Sequence, residues 1–139
     1  MEKTALVTGA EGFIGSHMVQ FLHDKGWNVI GAYLRDGSSA FPRMPNLHFE
    51  QCDLRNGQRV TQILAHYQPT YIFHLGAQSL PTVSWADPVM TFESNVMGSL
   101  HLFEGVRHMK RRPVVVSACS NSVSLFSSTN KRQTRPRKR

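Results

Sequence analysis

Cysteine is scarce in this chain of 139 residues, which holds Cys52 and Cys119 alone. Two thiols make neither a disulfide framework nor a metal-ligand cluster, and they fit a reducing compartment. No apolar run approaches the roughly 20 residues of a membrane span, and the N-terminus lacks the basic, apolar and small-residue regions of a secretion signal. A cytoplasmic location with no membrane partner is the expectation. Acid is missing from the last stretch. All nine Asp and Glu precede position 105, whereas six of the sixteen Lys and Arg fall in the last nine positions. Residues 1–126 therefore carry ten bases against nine acids, a net of +1 within a formal total of +7. The body is nearly neutral, so the high overall charge does not mark a nucleic-acid-binding fold. Tyr-x-x-x-Lys is absent too. Tyr33, Tyr67 and Tyr71 are followed four positions later by Gly37, Tyr71 and Leu75.

What is present alternates between two periods. The length allows one domain with a real core. Ala5-Leu6-Val7 predicts a first buried strand, and Trp27 to Leu34 a second. Leu47 to Cys52 predicts a third, Tyr71 to Leu75 a fourth, and Val114-Val115-Val116 a fifth. Between them lie helical patterns: Ile14, Met18, Phe21 and Leu22 in a segment beginning at Ser16 and capped near Gly26, then Val60, Ile63, Leu64 and Tyr67 closed by Pro69. A long third helix is predicted from Pro88 to about His108, on Val89, Phe92, Val96, Leu100, Phe103 and Val106. Alternating strands and helices imply a parallel, doubly wound α/β sheet of Rossmann type over residues 1–120.

The stretch with most chemical content is Thr8-Gly9-Ala10-Glu11-Gly12-Phe13-Ile14-Gly15, placed between the first strand and the first helix. Gly9 would let the chain turn sharply, Gly12 would let bare backbone approach a pyrophosphate, and Gly15 would bring the helix close to the sheet. The helix N-terminus then offers unpaired N–H groups to an anion. The spacing is G-x-x-G-x-x-G rather than G-x-G-x-x-G, so its weight comes from the strand before it and the helix after it. At the end of the second strand Arg35 would pair with a 2′-phosphate, with Ser38 and Ser39 as hydroxyl donors, and the neighbouring Asp36 would accept from a ribose 2′-hydroxyl. The charge pairing leans to NADP, with NAD the other choice. Asp53, at the end of the third strand, would accept from the exocyclic amine of adenine or cap the next helix.

Thr8 to Gly15, Asp53-Leu54, His74-Leu75-Gly76-Ala77-Gln78-Ser79, Ser84-Trp85-Ala86-Asp87-Pro88 and Asn95-Val96-Met97-Gly98 together resemble the extended short-chain dehydrogenase/reductase superfamily. The Leu-Gly-Ala-Gln-Ser run and the Ser-Trp-x-x-Pro after it are most similar to nucleotide-sugar 4,6-dehydratases, the GDP-mannose 4,6-dehydratases in particular. Those enzymes typically carry Gln-Asp in the turn where this chain has Phe13-Ile14, which keeps GDP-4-keto-6-deoxy-sugar reductases and nucleotide-sugar epimerases as alternatives. The resemblance implies that Gly9, Glu11, Gly12, Phe13, Ile14 and Gly15 line the pyrophosphate, Arg35 the adenosine ribose, and Asp53 and Leu54 the adenine. It implies further that Leu75, Ala77 and Gln78 lie along the rest of the cofactor and that Ser79 and Ser84 face the sugar nucleotide. Ser84 alternatively helps start the helix near Pro88. A homo-oligomer through the 88–108 helix is also implied. The family chemistry oxidises a sugar carbon, eliminates water and returns the hydride, using a Tyr-x-x-x-Lys pair and a hydroxyl residue, whose expected place falls near Ser120.

From Asn121 onward the pattern stops. Residues 121–139 are basic, without acid or apolar periodicity, and are expected to be disordered. Two readings stand for this tail, a segment for nucleic acid or another anionic surface, or an unrelated sequence following loss of the normal frame. Nothing aromatic interleaves the bases, which favours the second.

Overall fold

Each short aliphatic run is followed by a helical or looped segment that returns the chain to the same end of the sheet, so successive strands lie parallel. The computed structural model describes residues 3–35, 42 and 44–119. Its elements are β1 (Thr4–Thr8), α1 (Phe13–Asp24), β2 (Asn28–Tyr33), β3 (Leu47–Gln51), α2 (Gly57–Tyr67), β4 (Tyr71–His74), α3 (Pro81–Ala86), α4 (Pro88–Phe92), α5 (Gly98–Arg107) and β5 (Val114–Ser117), with a π-helical turn, Glu93–Met97, joining α4 to α5. The strands form one parallel sheet in the order β3-β2-β1-β4-β5. Chain order reverses between β1 and β4, which places the ligand crevice of such a sheet beyond the ends of those two strands.

Alternation along the strands divides the core. Leu6 is paired with Ile30 on one side and Ile72 on the other, and these three pack with Val60, Ile63 and Leu64 of α2 and Leu102 of α5. Ala5, Val7 and Val29 face the opposite way, against Val19 and Leu22 of α1. Thr8 continues the Leu6 face and lies in register with Ala32 and His74. The last residues of β1 and β4 thus turn toward α5.

The five expected strands are all present, and the expected helices need three corrections. α1 begins at Phe13, three residues before Ser16, because Gly12 already accepts the first helical bond from the Ser16 N–H at 2.9 Å. Its buried face is Gly15, Val19 and Leu22, while Ile14 and Phe21 are 63% and 57% exposed. Successive residues of a helix point about 100° apart, and with Gly15 seated on the Gly9 carbonyl the Ile14 side chain is turned outward. The long third helix is interrupted by the π-helical turn and preceded by the unpredicted α3. Asp36, Ser38, Ser39, Ser120 and the 121–139 tail lie outside the described residues.

Candidate dinucleotide site

The glycine turn has a definite geometry. Gly9 takes φ +71°, a conformation that side-chain-bearing residues rarely adopt, and a Cβ built there would lie 2.8 Å from Gly76 Cα in the segment after β4. The turn closes through the Gly12 N–H, which donates to the Gly9 carbonyl at 3.0 Å. A Cβ on Gly15 would fall 2.0 Å from that same carbonyl oxygen. Gly15 is therefore required by the turn itself, where close approach of helix to sheet was expected. Gly12 differs from both. Its φ of −75° suits any residue, and an added Cβ would meet only Gly9 O within 4 Å, at 3.2 Å. Apart from that one tight contact with a backbone oxygen nothing stands within 4 Å of the position, which leaves its outer side to an approaching pyrophosphate. No side chain caps α1 and no acid occupies its first turn, so its first N–H groups have no side-chain acceptor. On these observations the turn fits a dinucleotide.

The end of β2 and the segment after β4 meet the turn, and the residues past β3 pack on the segment after β4. The Ala10 N–H donates to Ala32 O of β2 at 3.0 Å, and Glu11 Oε1 accepts the Leu34 N–H at 2.8 Å, so the turn is tied to the end of β2. Arg35 follows on the surface, exposed. Beyond β3, Leu54 lies under both neighbouring segments. Its Cδ1 would be 3.0 Å from a Cβ on Gly76, and its Cβ 2.9 Å from one on Gly98. Asp53 is engaged by its neighbour. Arg55 Nε donates to both carboxylate oxygens, Nη2 to Oδ2 at 2.7 Å and the Arg55 N–H to Oδ1 at 2.9 Å. These hydrogen bonds hold the Asp53 carboxyl below its ordinary pKa. Asn56, not Asp53, caps α2, by accepting the Arg59 N–H.

A directed chain of hydrogen bonds fixes the end of β4. Thr8 Oγ1 accepts the N–H groups of Leu75 and Gly76 at 3.1 and 3.0 Å, which fills its acceptor sites, so its own proton goes to His74 Nδ1 at 2.9 Å. His74 is then neutral with its proton on Nε2, which donates to Ser99 Oγ at 2.9 Å, and Ser99 donates to Asn95 O at 2.6 Å. Burial pushes the His74 pKa below its ordinary value, in agreement with the neutral ring. Asn95 grips the next segment from both sides, with Oδ1 accepting the Gln78 N–H at 2.7 Å and Nδ2 donating to Gln78 O at 2.9 Å. Thr8, Asn95 and Ser99 thus anchor the segment after β4, roles with no local signal in the sequence, since the hydrogen-bond partners of Thr8 and Asn95 lie 66 and 17 positions away.

The remaining predicted residues occupy the same side with varied surroundings. Phe13 and Ile14 expose their side chains and, with His17, Met18 and Phe21, line an apolar hollow of about 330 Å³ on α1. Leu75 is half-buried and packs under the α1 face of the sheet. Ala77 and Ser79 are exposed. The Gln78 side chain folds back on Leu80, donating to its carbonyl and accepting its N–H. Ser84 sits inside α3 and donates to Leu80 O at 3.1 Å, while Asp87 caps α4 by accepting the Met90 N–H at 2.9 Å. Ser84 therefore does not start the helix at Pro88. A larger open cleft, about 640 Å³, lies beyond β3 and is lined by Asp53, Arg55, Glu93 and His101 among others. It adjoins the expected adenine side. Burial raises the Cys52 thiol to about 11, which keeps it protonated and unreactive at neutral pH. Among the described residues no group of three His, Cys, Asp or Glu is placed to hold a metal, and no helix is long and apolar enough to cross a membrane.

A parallel sheet whose order reverses at a glycine turn, with an uncapped helix behind it, defines a Rossmann-type dinucleotide-binding fold. Residues 6–130 match the family described as GDP-mannose 4,6 dehydratase, and the chain belongs to that family. Relatives include CDP-paratose 2-epimerase of Salmonella typhi, 36% identical over 91% of this chain and 36% of the relative. GDP-mannose 4,6-dehydratase of Vibrio cholerae is 31% identical over 97% of this chain and 40% of the relative. Among solved structures, Thermus thermophilus UDP-glucose 4-epimerase in complex with NAD is 38% identical, with a TM-score of 0.68, over 75% of this chain and 33% of that one. The chain spans two fifths or less of the length of these relatives.

Proposed function

We propose that this chain binds NAD or NADP at the glycine turn and is the cofactor-binding portion of a nucleotide-sugar 4,6-dehydratase, with GDP-mannose the favoured substrate. The observation that carries the reading is the unblocked start of α1 behind Gly12, at the point where the sheet order reverses. Backbone N–H groups of residues 13–15 would hold the pyrophosphate, and Asp53 and Leu54 would border the adenine. Leu75, Ala77 and Gln78 would run beside the remainder of the cofactor, held in place by Thr8 and Asn95. Ser79 and Ser84 would face the sugar nucleotide. Arg35 is the residue that supports NADP, by pairing with a 2′-phosphate. The nicotinamide, when bound, would supply a hydride acceptor and donor for a sugar carbon. The resemblance that names dehydratases is shared by epimerases, which act on nucleotide sugars through the same fold.

A second reading, a cofactor-binding fragment without turnover, is favoured by one specific observation. No tyrosine of the sequence is followed by lysine four positions later, so no motif-placed base removes the sugar hydroxyl proton as hydride leaves. His74 cannot take that part, because Thr8 and Ser99 occupy both ring nitrogens. The expected outcome is that the 139-residue chain, supplied with either cofactor and GDP-mannose, forms no 4-keto-6-deoxy product. Formation at a rate typical of enzymes, about 1 per second or more, would overturn the second reading and require a base elsewhere.

A further inference from the structure

We propose that Arg55 masks Asp53 in the free chain and yields it to the 6-amino group of an adenine by exchanging Asp53 for Glu93 as its ion-pair partner. The inference deepens the reading of cofactor binding set out above, and rests on it. Two acids flank one guanidinium here. Arg55 Nη2 lies 2.7 Å from Asp53 Oδ2, and Arg55 Nη1 lies 3.8 Å from Glu93 Oε2. All three residues line the open cleft of about 640 Å³ beyond β3. The Arg55 side chain is 42% exposed, and those of Asp53 and Glu93 are 35% and 51% exposed, so the guanidinium has room to turn from one acid to the other.

Acceptor capacity makes the exchange necessary. A carboxylate offers about four acceptor positions, and Arg55 alone fills them. Its backbone N–H and its Nε reach Oδ1 at 2.9 and 3.1 Å, while Nε and Nη2 reach Oδ2 at 3.0 and 2.7 Å. An amino group that donates to Asp53 must therefore displace the guanidinium, although the backbone N–H bond can stay. Glu93 is free to receive what is displaced. Its side chain makes no hydrogen bond among the described residues and meets only Arg55 as an ion partner. An exposed ion pair is weakly held, so replacing one carboxylate by another costs little. Glu93 also opens the π-helical turn that carries Asn95, so the guanidinium moves toward the element that clamps Gln78. Until it moves, the affinity for adenine is lowered in proportion to the fraction of molecules in which Asp53 is uncovered.

Calorimetric titration of the 139-residue chain with NAD and with its hypoxanthine analogue tests this. The analogue carries an accepting oxygen where adenine has the donating amino group, so it gains nothing from an uncovered Asp53. Arg55→Ala uncovers Asp53 permanently and is expected to tighten NAD about threefold, the scale of an exposed ion pair, while the analogue tightens less than about 1.5-fold. Glu93→Gln removes the charge that receives the guanidinium and is expected to weaken NAD about threefold, with the analogue again little moved. Both side chains are exposed, so neither substitution opens the core, and a merely structural role would move the two ligands together. A preference for NAD over the analogue that is unchanged or smaller in Arg55→Ala, or Glu93→Gln that binds NAD as tightly as wild type, would overturn the exchange while leaving cofactor binding at the glycine turn in place. Wild type that binds neither ligand would overturn both.

Discussion

Three glycines in one motif serve three different ends, and substitution separates them. Gly15→Ala places a Cβ 2.0 Å from the Gly9 carbonyl, an overlap that backbone must move to relieve. It is expected to lower unfolding free energy by about 1–3 kcal/mol or more. Gly12→Ala meets little in the protein and should cost under about 1 kcal/mol of stability, while weakening dinucleotide binding because the methyl occupies ligand space. Urea unfolding of both variants, with cofactor titration of Gly12→Ala, checks the contrast, and equal stability losses would contradict it. His74 sets a pH dependence at the same scale. Its folded pKa is depressed by burial, so its contribution is complete above the ordinary histidine value of about 6.5 and is lost as pH falls toward and through the folded value. Protonation would also set an Nδ1–H against Thr8 Oγ1, whose acceptor sites are filled by Leu75 and Gly76. Unfolding free energy should decline from pH 7.5 to 5.5 more steeply in wild type than in His74→Gln. This relay was not legible from spacing, since Thr8 and His74 are brought together by strand pairing.

At the scale of elements, much was legible. β1 and β2 carried buried apolar runs, β5 an aliphatic run that stays largely exposed, and Val60, Ile63 and Leu64 of α2 are all in the core as their spacing indicated. The 88–108 segment was harder, because a π-helical turn adds a residue without breaking the apolar repeat of Val89, Phe92, Val96, Leu100 and Phe103. That turn carries Asn95, which clamps the segment after β4. α3 escaped because six residues give too short a pattern for helical periodicity. The reading of Asp53 as a free acceptor missed Arg55, two positions on, whose guanidinium covers both oxygens. Asn95→Ala should strand the part-buried N–H and C=O of Gln78, costing about 1–3 kcal/mol. Amide exchange at Gln78 should speed up accordingly, and unchanged exchange there would show that the clamp is not what orders residues 75–79.

On the scale of the whole molecule, the apolar surface is out of balance. Val89, Phe92, Val96, Leu100 and Phe103 are exposed along α4 to α5, as are Val114 and Val116 on the edge strand β5. Surface of this extent favours association, and the long-helix stripe supports the proposed homo-oligomer. Phe92→Glu with Leu100→Glu should shift the sedimentation profile toward monomer, and a wild-type chain that is already monomeric at high concentration would contradict the proposal. The central claim concerns the other end of the sheet, where the glycine turn meets β4. It is tested most directly by following backbone amide resonances of the 139-residue chain during titration with NAD. The account predicts saturable shifts at Gly12, Phe13, Ile14 and Gly15 and at Leu75 to Ala77, all lost in Gly12→Val. Shifts confined to other regions, or equal titrations of wild type and Gly12→Val, would contradict it.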